Sequence, residues 1–153
     1  MKLILVLFPF ISCTTFSLAN GEDTLPKKGE SVLNQEERFL LHDIIFDVIQ
    51  TNYGAITTYP GFDLAIRDFV HQRITGEKNL KNFDLPDVFY GINFQDIPSE
   101  TFIKSHFQEC IDQLKASGLP INPDRYRIGI IEENGRAYVV LALDELYIPP
   151  GTD

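Results

Sequence analysis

The stretch of sequence that decides the fold is RYRIGIIEENGRAYVVLALD, residues 125–144. Asn134-Gly135 in its middle is the strongest short signal for a two-residue hairpin turn, because both turn residues need positive φ. Pairing outward from this turn sets residues opposite one another as Glu133–Arg136, Ile131–Tyr138, Ile130–Val139, Ile128–Leu141, Tyr126–Leu143 and Arg125–Asp144. Opposite charges then meet near both ends, so we expect an antiparallel β-hairpin over the whole stretch.

This register divides the side chains of the hairpin between two faces. One face is apolar throughout and needs a core to cover it: Tyr126, Ile128, Ile130, Val139, Leu141 and Leu143. The other face is mixed: Arg127, Gly129, Ile131, Tyr138, Val140 and Ala142. The mixed face is therefore expected either to be lightly covered or to meet a partner.

The first of three predicted helices lies upstream of the hairpin. Asn34 and Glu37 have the spacing of a capping box, and the pattern ends near residues 52–54. Its apolar residues fall on one stripe at helical spacing: Leu41, Ile44, Ile45, Val48 and Ile49. An amphipathic helix packed against a core follows from that stripe.

Two further helices are predicted from their caps and their periodicity. We expect the second to be capped at Asp63 and to end at Gly76, with Ile66, Phe69, Val70 and Ile74 on its buried face. The third should begin after the N-cap Ser99 and close at Gly118. Its apolar stripe is Phe102, Ile103, His106, Phe107, Cys110, Ile111 and Leu114.

Residues 77–98 are irregular by pattern but rich in apolar side chains, and they allow a short strand around Val88–Phe94. The predicted fold class is therefore α+β, with three helices packed on a C-terminal antiparallel β-hairpin or small sheet.

The N-terminal residues are typical of an export signal. The apolar run at residues 3–11 is shorter than the roughly 20 residues of a spanning helix but fits a signal-peptide core. Small residues at 17 and 19 predict a signal peptide at 1–19, cleaved before Asn20. A bacterial lipoprotein signal ending at Cys13, which would tether the chain to a membrane by a lipid, is the alternative.

Downstream of the signal we expect a flexible leader at residues 20–32, a single domain at 33–148 and a disordered tail at 149–153. The predicted location is therefore the periplasm or the secreted fraction. Cleavage would leave Cys110 as the remaining cysteine, so the domain would have to fold without an internal disulfide.

The charge balance excludes several kinds of partner. The 153-residue chain carries 13 Lys and Arg against 22 Asp and Glu, a formal net charge of −9. Nucleic-acid binding requires clustered cations, and anionic lipid attracts basic segments, so we expect neither nucleic acid nor adsorption to anionic lipid. The apolar run at residues 3–11 is too short for a membrane span, so none is expected. An acidic protein of this kind is more suited to a basic protein partner.

Three residues are candidates for catalysis. His106 and Cys110 are four residues apart on one predicted helical face, where an imidazole could activate a thiolate, and His42 adjoins Asp43. The alternative is that His106 and Cys110 are core residues and that His42 faces water. No metal-ligand motif, phosphate-binding loop or nucleophile elbow is present, so no metal and no cofactor are predicted.

Aromatic residues near acids make a second kind of candidate, because acids attract a basic partner and aromatic rings anchor it. The predicted binding residues are Tyr53, Tyr59, Phe89, Tyr90, Asp84 and Asp87. The alternative is that these rings close the core over the hairpin.

These features predict an exported, acidic, non-catalytic binding protein, such as a periplasmic inhibitor or immunity-type protein for a basic partner. A small envelope enzyme with a His/carboxylate site and a lipid-tethered envelope component remain as alternatives.

Overall fold

The computed structural model describes residues 31–77, 84–118 and 121–145. The predicted signal peptide, Cys13, most of the predicted leader and the predicted tail lie outside the described residues. In chain order the elements are α1 (Gln35–Tyr53), β1 (Thr57–Thr58), a 3₁₀ turn (Pro60–Phe62), α2 (Asp63–Thr75), β2 (Val88–Phe94), α3 (Glu100–Ala116), β3 (Arg125–Glu133) and β4 (Arg136–Asp144). The predicted α+β class is confirmed.

The four strands form one mixed sheet in the order β1-β3-β4-β2. The predicted hairpin register is confirmed from Glu133 opposite Arg136 to Arg125 opposite Asp144. Asn134 takes φ 53° in the turn, a left-handed conformation that residues other than glycine seldom adopt and that asparagine tolerates well.

The predicted strand Val88–Phe94 is also confirmed, and it pairs antiparallel with β4 at one edge of the sheet. The two-residue β1, parallel to the start of β3 at the other edge, was not predicted.

Helices cover both faces of the sheet. The larger core joins α1 and α3 to the apolar face of the hairpin and to Tyr90, Ile92 and Phe94 of β2. The second core lies on the opposite face, where α2 and the 3₁₀ turn pack on β4, and consists of Phe62, Ile66, Phe69, Val70, Val140 and Ala142. The mixed face of the hairpin was expected either to be lightly covered or to meet a partner, and in the structure α2 covers it.

The predicted helix starts are right, but one predicted cap is wrong. The Asn34 side chain accepts from the Glu37 amide at 2.9 Å, and the Glu37 carboxylate accepts from the Asn34 amide at 2.8 Å, so the capping box is confirmed. Asp63 is the first residue of α2 rather than its N-cap, and the cap position Phe62 makes no side-chain hydrogen bond.

The Asp63 carboxylate instead binds the guanidinium of Arg127 on β3, at 2.7 and 3.1 Å. A bidentate, charge-assisted pair is stronger than a bond to one neutral amide, which explains why the side chain leaves the helix end. The pair holds the first turn of α2 against the sheet.

Across residues 31–77, 84–118 and 121–145, no helix has the combined length and apolar character needed to span a bilayer.

Gly129 allows α2 to approach the sheet closely. A Cβ at this position would lie 2.7 Å from Cγ2 of Ile66 on α2, closer than two carbon atoms can approach without a shift. The equivalent atom at Gly91 on β2 would meet nothing nearer than the Val139 carbonyl oxygen at 3.4 Å. The two glycines therefore form a matched pair for substitution.

We expect Gly129→Ala to lower the free energy of unfolding by about 1–3 kcal/mol, because Ile66 must move in a packed core. Gly91→Ala, which makes the same change on a strand with more space, should shift stability by less than about 0.5 kcal/mol. Urea denaturation of both variants provides the measurement. Equal stability of the two variants would show that α2 does not pack on Gly129.

Candidate functional site

The structure distributes the predicted site residues among three places. Tyr59 and Asp84 lie beside Arg125 at one end of the sheet, and Asp87 is bonded to Asp144, the ion-pair partner of Arg125. Tyr53 and Tyr90 pack with the α1/α3 core, whereas Phe89 packs with the α2 core. The residues predicted for one binding surface therefore lie on both sides of the sheet.

Arg125 is enclosed by opposite charge and by aromatic rings. Its guanidinium binds the Asp144 carboxylate directly and lies 3.9 Å from that of Asp84. The guanidinium carbon is 4.5 Å from the centre of the Tyr59 ring and 5.4 Å from that of Phe62, within cation–π range. The Arg125 and Asp144 side chains are only 19% and 8% exposed, so this pair is largely withdrawn from water.

Asp87 and Asp144 exchange hydrogen bonds with the backbone at the ends of β2 and β4. The Asp87 amide donates to Asp144 at 3.2 Å, and the Glu145 amide donates to Asp87 at 3.2 Å. Desolvation raises the pKa of Asp144 above its usual value, and the nearby Asp87 carboxylate acts in the same direction, although Arg125 opposes both. The cluster ties three strand ends together, while Asp84 and Asp87 remain exposed.

His106 and Cys110 do approach one another, but in a geometry that does not suit a catalytic pair. His106 Nε2 lies 3.2 Å from the carbonyl oxygen of Gly91 on β2. A carbonyl can only accept, so Nε2 carries the proton and donates. The same nitrogen is 3.9 Å from the Cys110 sulfur and, while protonated, cannot take the thiol proton.

Burial raises the pKa of the Cys110 thiol to about 11, and the Glu109 carboxylate adds to the rise. A nucleophilic cysteine needs the opposite shift, toward the thiolate at neutral pH. Cys110 is half-buried and packs against the larger core, as a small apolar residue does.

His42 lies on the exposed side of α1. Its side chain is 49% exposed, Nδ1 is 3.8 Å from an Asp43 oxygen, and the ring stacks on Phe46 with 6.3 Å between ring centres. In the described part of the chain, no three His, Cys, Asp or Glu side chains are arranged to hold a metal ion.

The remaining predicted aromatic residues make internal contacts. Phe89 stacks on Phe69 of α2, with 4.7 Å between ring centres and an interplanar angle of 6°. The Tyr53 hydroxyl is buried and has no hydrogen-bond partner among the described residues, and Tyr90 is 6% exposed. Burial raises the pKa of both tyrosines.

Sequence reasoning missed an exposed surface on α1. Phe39 and Leu40 are 61% and 45% exposed, and the acids Glu36, Asp43 and Asp47 beside them are exposed as well. We call these five residues the α1 outer face. Phe39 falls on the side of the helix opposite the predicted buried stripe and Leu40 at the flank of that stripe, so helical spacing alone could have identified them.

The one arginine of α1 does not neutralise this surface. Arg38 forms an ion pair with Glu132 of β3 at 3.0 Å. Glu132 also accepts hydrogen bonds from the Ser31 hydroxyl at 2.6 Å and the Leu33 amide at 2.8 Å. Arg38 is therefore directed toward the sheet and pairs with Glu132 rather than with an acid of the outer face.

Comparison of the chain with models of protein families, with curated proteins and with solved structures finds no match in any of the three.

The Arg125–Asp144 pair gives a stability prediction. Arg125→Met leaves the carboxylate of Asp144 buried without its partner, and we expect a loss of about 3 kcal/mol in the free energy of unfolding. Asp144→Asn keeps an acceptor for the Asp87 amide but removes the charge, so the double variant should recover more than half of that loss. Chemical denaturation at pH 7 provides the measurement. A double variant no more stable than Arg125→Met would show that the unpaired charge of Asp144 is not the cause of the loss.

Cys110 gives a reactivity prediction. In a chain carrying Cys13→Ser, Cys110 is the sole thiol, since the sequence has two cysteines. With its pKa raised to about 11, the folded protein should react with a thiol reagent at pH 8 at least about tenfold more slowly than the urea-unfolded chain. Equal rates in the two states would restore Cys110 as a candidate nucleophile.

Proposed function

We propose that this protein is an exported, acidic, non-catalytic binding protein that occupies a basic protein partner, in the manner of a periplasmic inhibitor or an immunity-type protein. The observation that carries the proposal is the pairing of three arginines with carboxylates of the chain itself. Arg38, Arg125 and Arg127 are each held in an ion pair with a carboxylate of the same chain.

These pairs remove cations and acids in equal number, so the excess of 22 acids over 13 Lys and Arg is unchanged. Asp43 and Asp47 of α1 and Glu109 and Asp112 of α3 are all exposed. Such a field accelerates the approach of a basic protein and repels nucleic acid and anionic lipid. With a net charge of −9, the chain has the charge complementarity that a basic partner requires.

Export remains part of the proposal through the signal peptide expected at residues 1–19. Cleavage before Asn20 would remove one lysine and no acid, which raises the negative charge of the mature protein to −10. The lipoprotein alternative at Cys13 would keep the same domain and attach it to a membrane. Intact-mass measurement of the exported protein distinguishes the two.

The proposed function predicts selective, salt-sensitive capture. Immobilised protein incubated with a native envelope extract should retain a basic protein, with a dissociation constant below about 1 μM near physiological salt and weaker binding at about 0.5 M salt. Serum albumin, also acidic, serves as the control for simple ion exchange.

Retention of nothing beyond the albumin control would contradict the proposal. Retention that does not weaken with added salt would contradict its electrostatic basis.

A further inference from the structure

The α1 outer face exposes apolar side chains where a surface helix usually carries polar ones. Phe39 is 61% exposed and Leu40 is 45% exposed, and the two are adjacent in the sequence. Neither belongs to the buried stripe of α1, which is Leu41, Ile44, Ile45, Val48 and Ile49. Within residues 31–77, 84–118 and 121–145, neither side chain belongs to either of the two cores.

Around the helix, the acids of this face lie between the two apolar side chains. Glu36, Leu40, Asp43 and Asp47 follow one another at spacings of four, three and four residues, which places them along one stripe of the helix. Phe39 is three residues after Glu36 and four before Asp43, so it borders the same stripe. Apolar and acidic side chains therefore form one continuous surface.

Helix stability accounts for only part of this charge. Glu36 lies in the first turn, where a carboxylate interacts favourably with the helix dipole. Asp47 lies in the second half of α1, whose last turn carries no basic residue. A carboxylate there gains nothing from the dipole, and Arg38 is already bound to Glu132.

We propose that the α1 outer face docks a cationic amphipathic segment of the basic partner. Apolar side chains of that segment would contact Phe39 and Leu40, and its Lys or Arg residues would meet Glu36, Asp43 and Asp47. This inference rests on the proposed function and adds to it the place and the chemistry of recognition. Apolar anchors with charges beside them supply affinity and orientation together.

Charge complementarity selects this occupant over two others. A second copy meeting the same face about a two-fold axis would bring Glu36, Asp43 and Asp47 of both chains together, which like-charge repulsion opposes. An anionic bilayer is repelled for the same reason. A basic segment neutralises the acids while it covers the exposed rings and methyl groups.

The test uses a synthetic helical peptide of about 14 leucines and lysines, with its leucines on one face, as the probe. A scrambled peptide of the same composition has the same charge but no apolar face. We expect the ordered peptide to bind the full chain at least about tenfold more tightly than the scrambled one near 0.1 M salt. Equal binding of the two would overturn the proposal, since charge alone would then explain it.

Variants locate the binding. Phe39→Ser combined with Leu40→Ser should weaken binding of the ordered peptide by at least about tenfold, because two apolar anchors are lost. Leu64→Ser removes an exposed leucine of α2, 55% exposed, and should change binding by less than about twofold. Circular dichroism confirms that each variant is folded.

Two double variants test whether the acids of the α1 outer face contribute to peptide binding. Asp43→Asn combined with Asp47→Asn should weaken binding several-fold at low salt, with the difference disappearing near 0.5 M salt. Glu77→Gln combined with Asp96→Asn removes two exposed acids outside α1 and should have a smaller effect. Equal effects of the two double variants would overturn the assignment to α1.

Other occupants are outcomes of the same experiment. Residues 20–30 can be deleted and peptide binding measured again. If binding becomes more than about tenfold tighter, the chain's own N-terminal segment is the occupant and the proposal is overturned. Binding to phosphatidylcholine vesicles that is lost in the Phe39/Leu40 variant would identify a lipid surface instead, with the same consequence.

Failure of this inference is distinguishable from failure of the proposed function. If a basic envelope protein is retained in a salt-sensitive way by both the native chain and the α1 variants, the partner docks elsewhere and the proposed function stands. If no basic protein is retained and neither peptide binds, both fail.

Discussion

The burial of β4 on both faces is the constraint on which the rest of the structure depends. Leu141 and Leu143 are fully buried toward α1 and α3, while Val140 and Ala142 are buried toward α2. A strand of this kind must be paired on both sides and covered on both faces, so the hairpin alone cannot be stable. The position of β2 beside β4, and of α2 opposite the other two helices, follows from that requirement.

Local chemistry made much of this fold predictable. The hairpin register, the strand Val88–Phe94 and the capping box at Asn34 all follow from residues close together in the sequence, and all three are confirmed. The face of the sheet that α2 covers was not predictable, because an apolar stripe on a helix does not say which surface it meets. Asp63 left its expected cap for Arg127, a partner 64 residues away.

The candidate site was harder to predict because its residues meet only through tertiary structure. Tyr59 and Asp84 are brought together by Arg125. The hairpin register predicted the pairing of Arg125 with Asp144, but it could not predict the contact of Arg125 with the Tyr59 ring. The surface that remains open, with Phe39 and Leu40, was visible in the helical spacing of α1. The pattern of the buried stripe identifies only the residues that face the core, so the apolar residues outside the stripe were missed.

The charged residues of the protein fall into two groups: those whose ion pairs hold the fold together, and those that we propose to face a partner. Amide chemical-shift mapping of the folded chain, titrated with the ordered leucine–lysine peptide, tests this division most directly. We predict shifts concentrated between Glu36 and Asp47, with little change around Arg125 or along β2. Shifts centred on Arg125 or on β2, with residues 36–47 unaffected, would contradict the account.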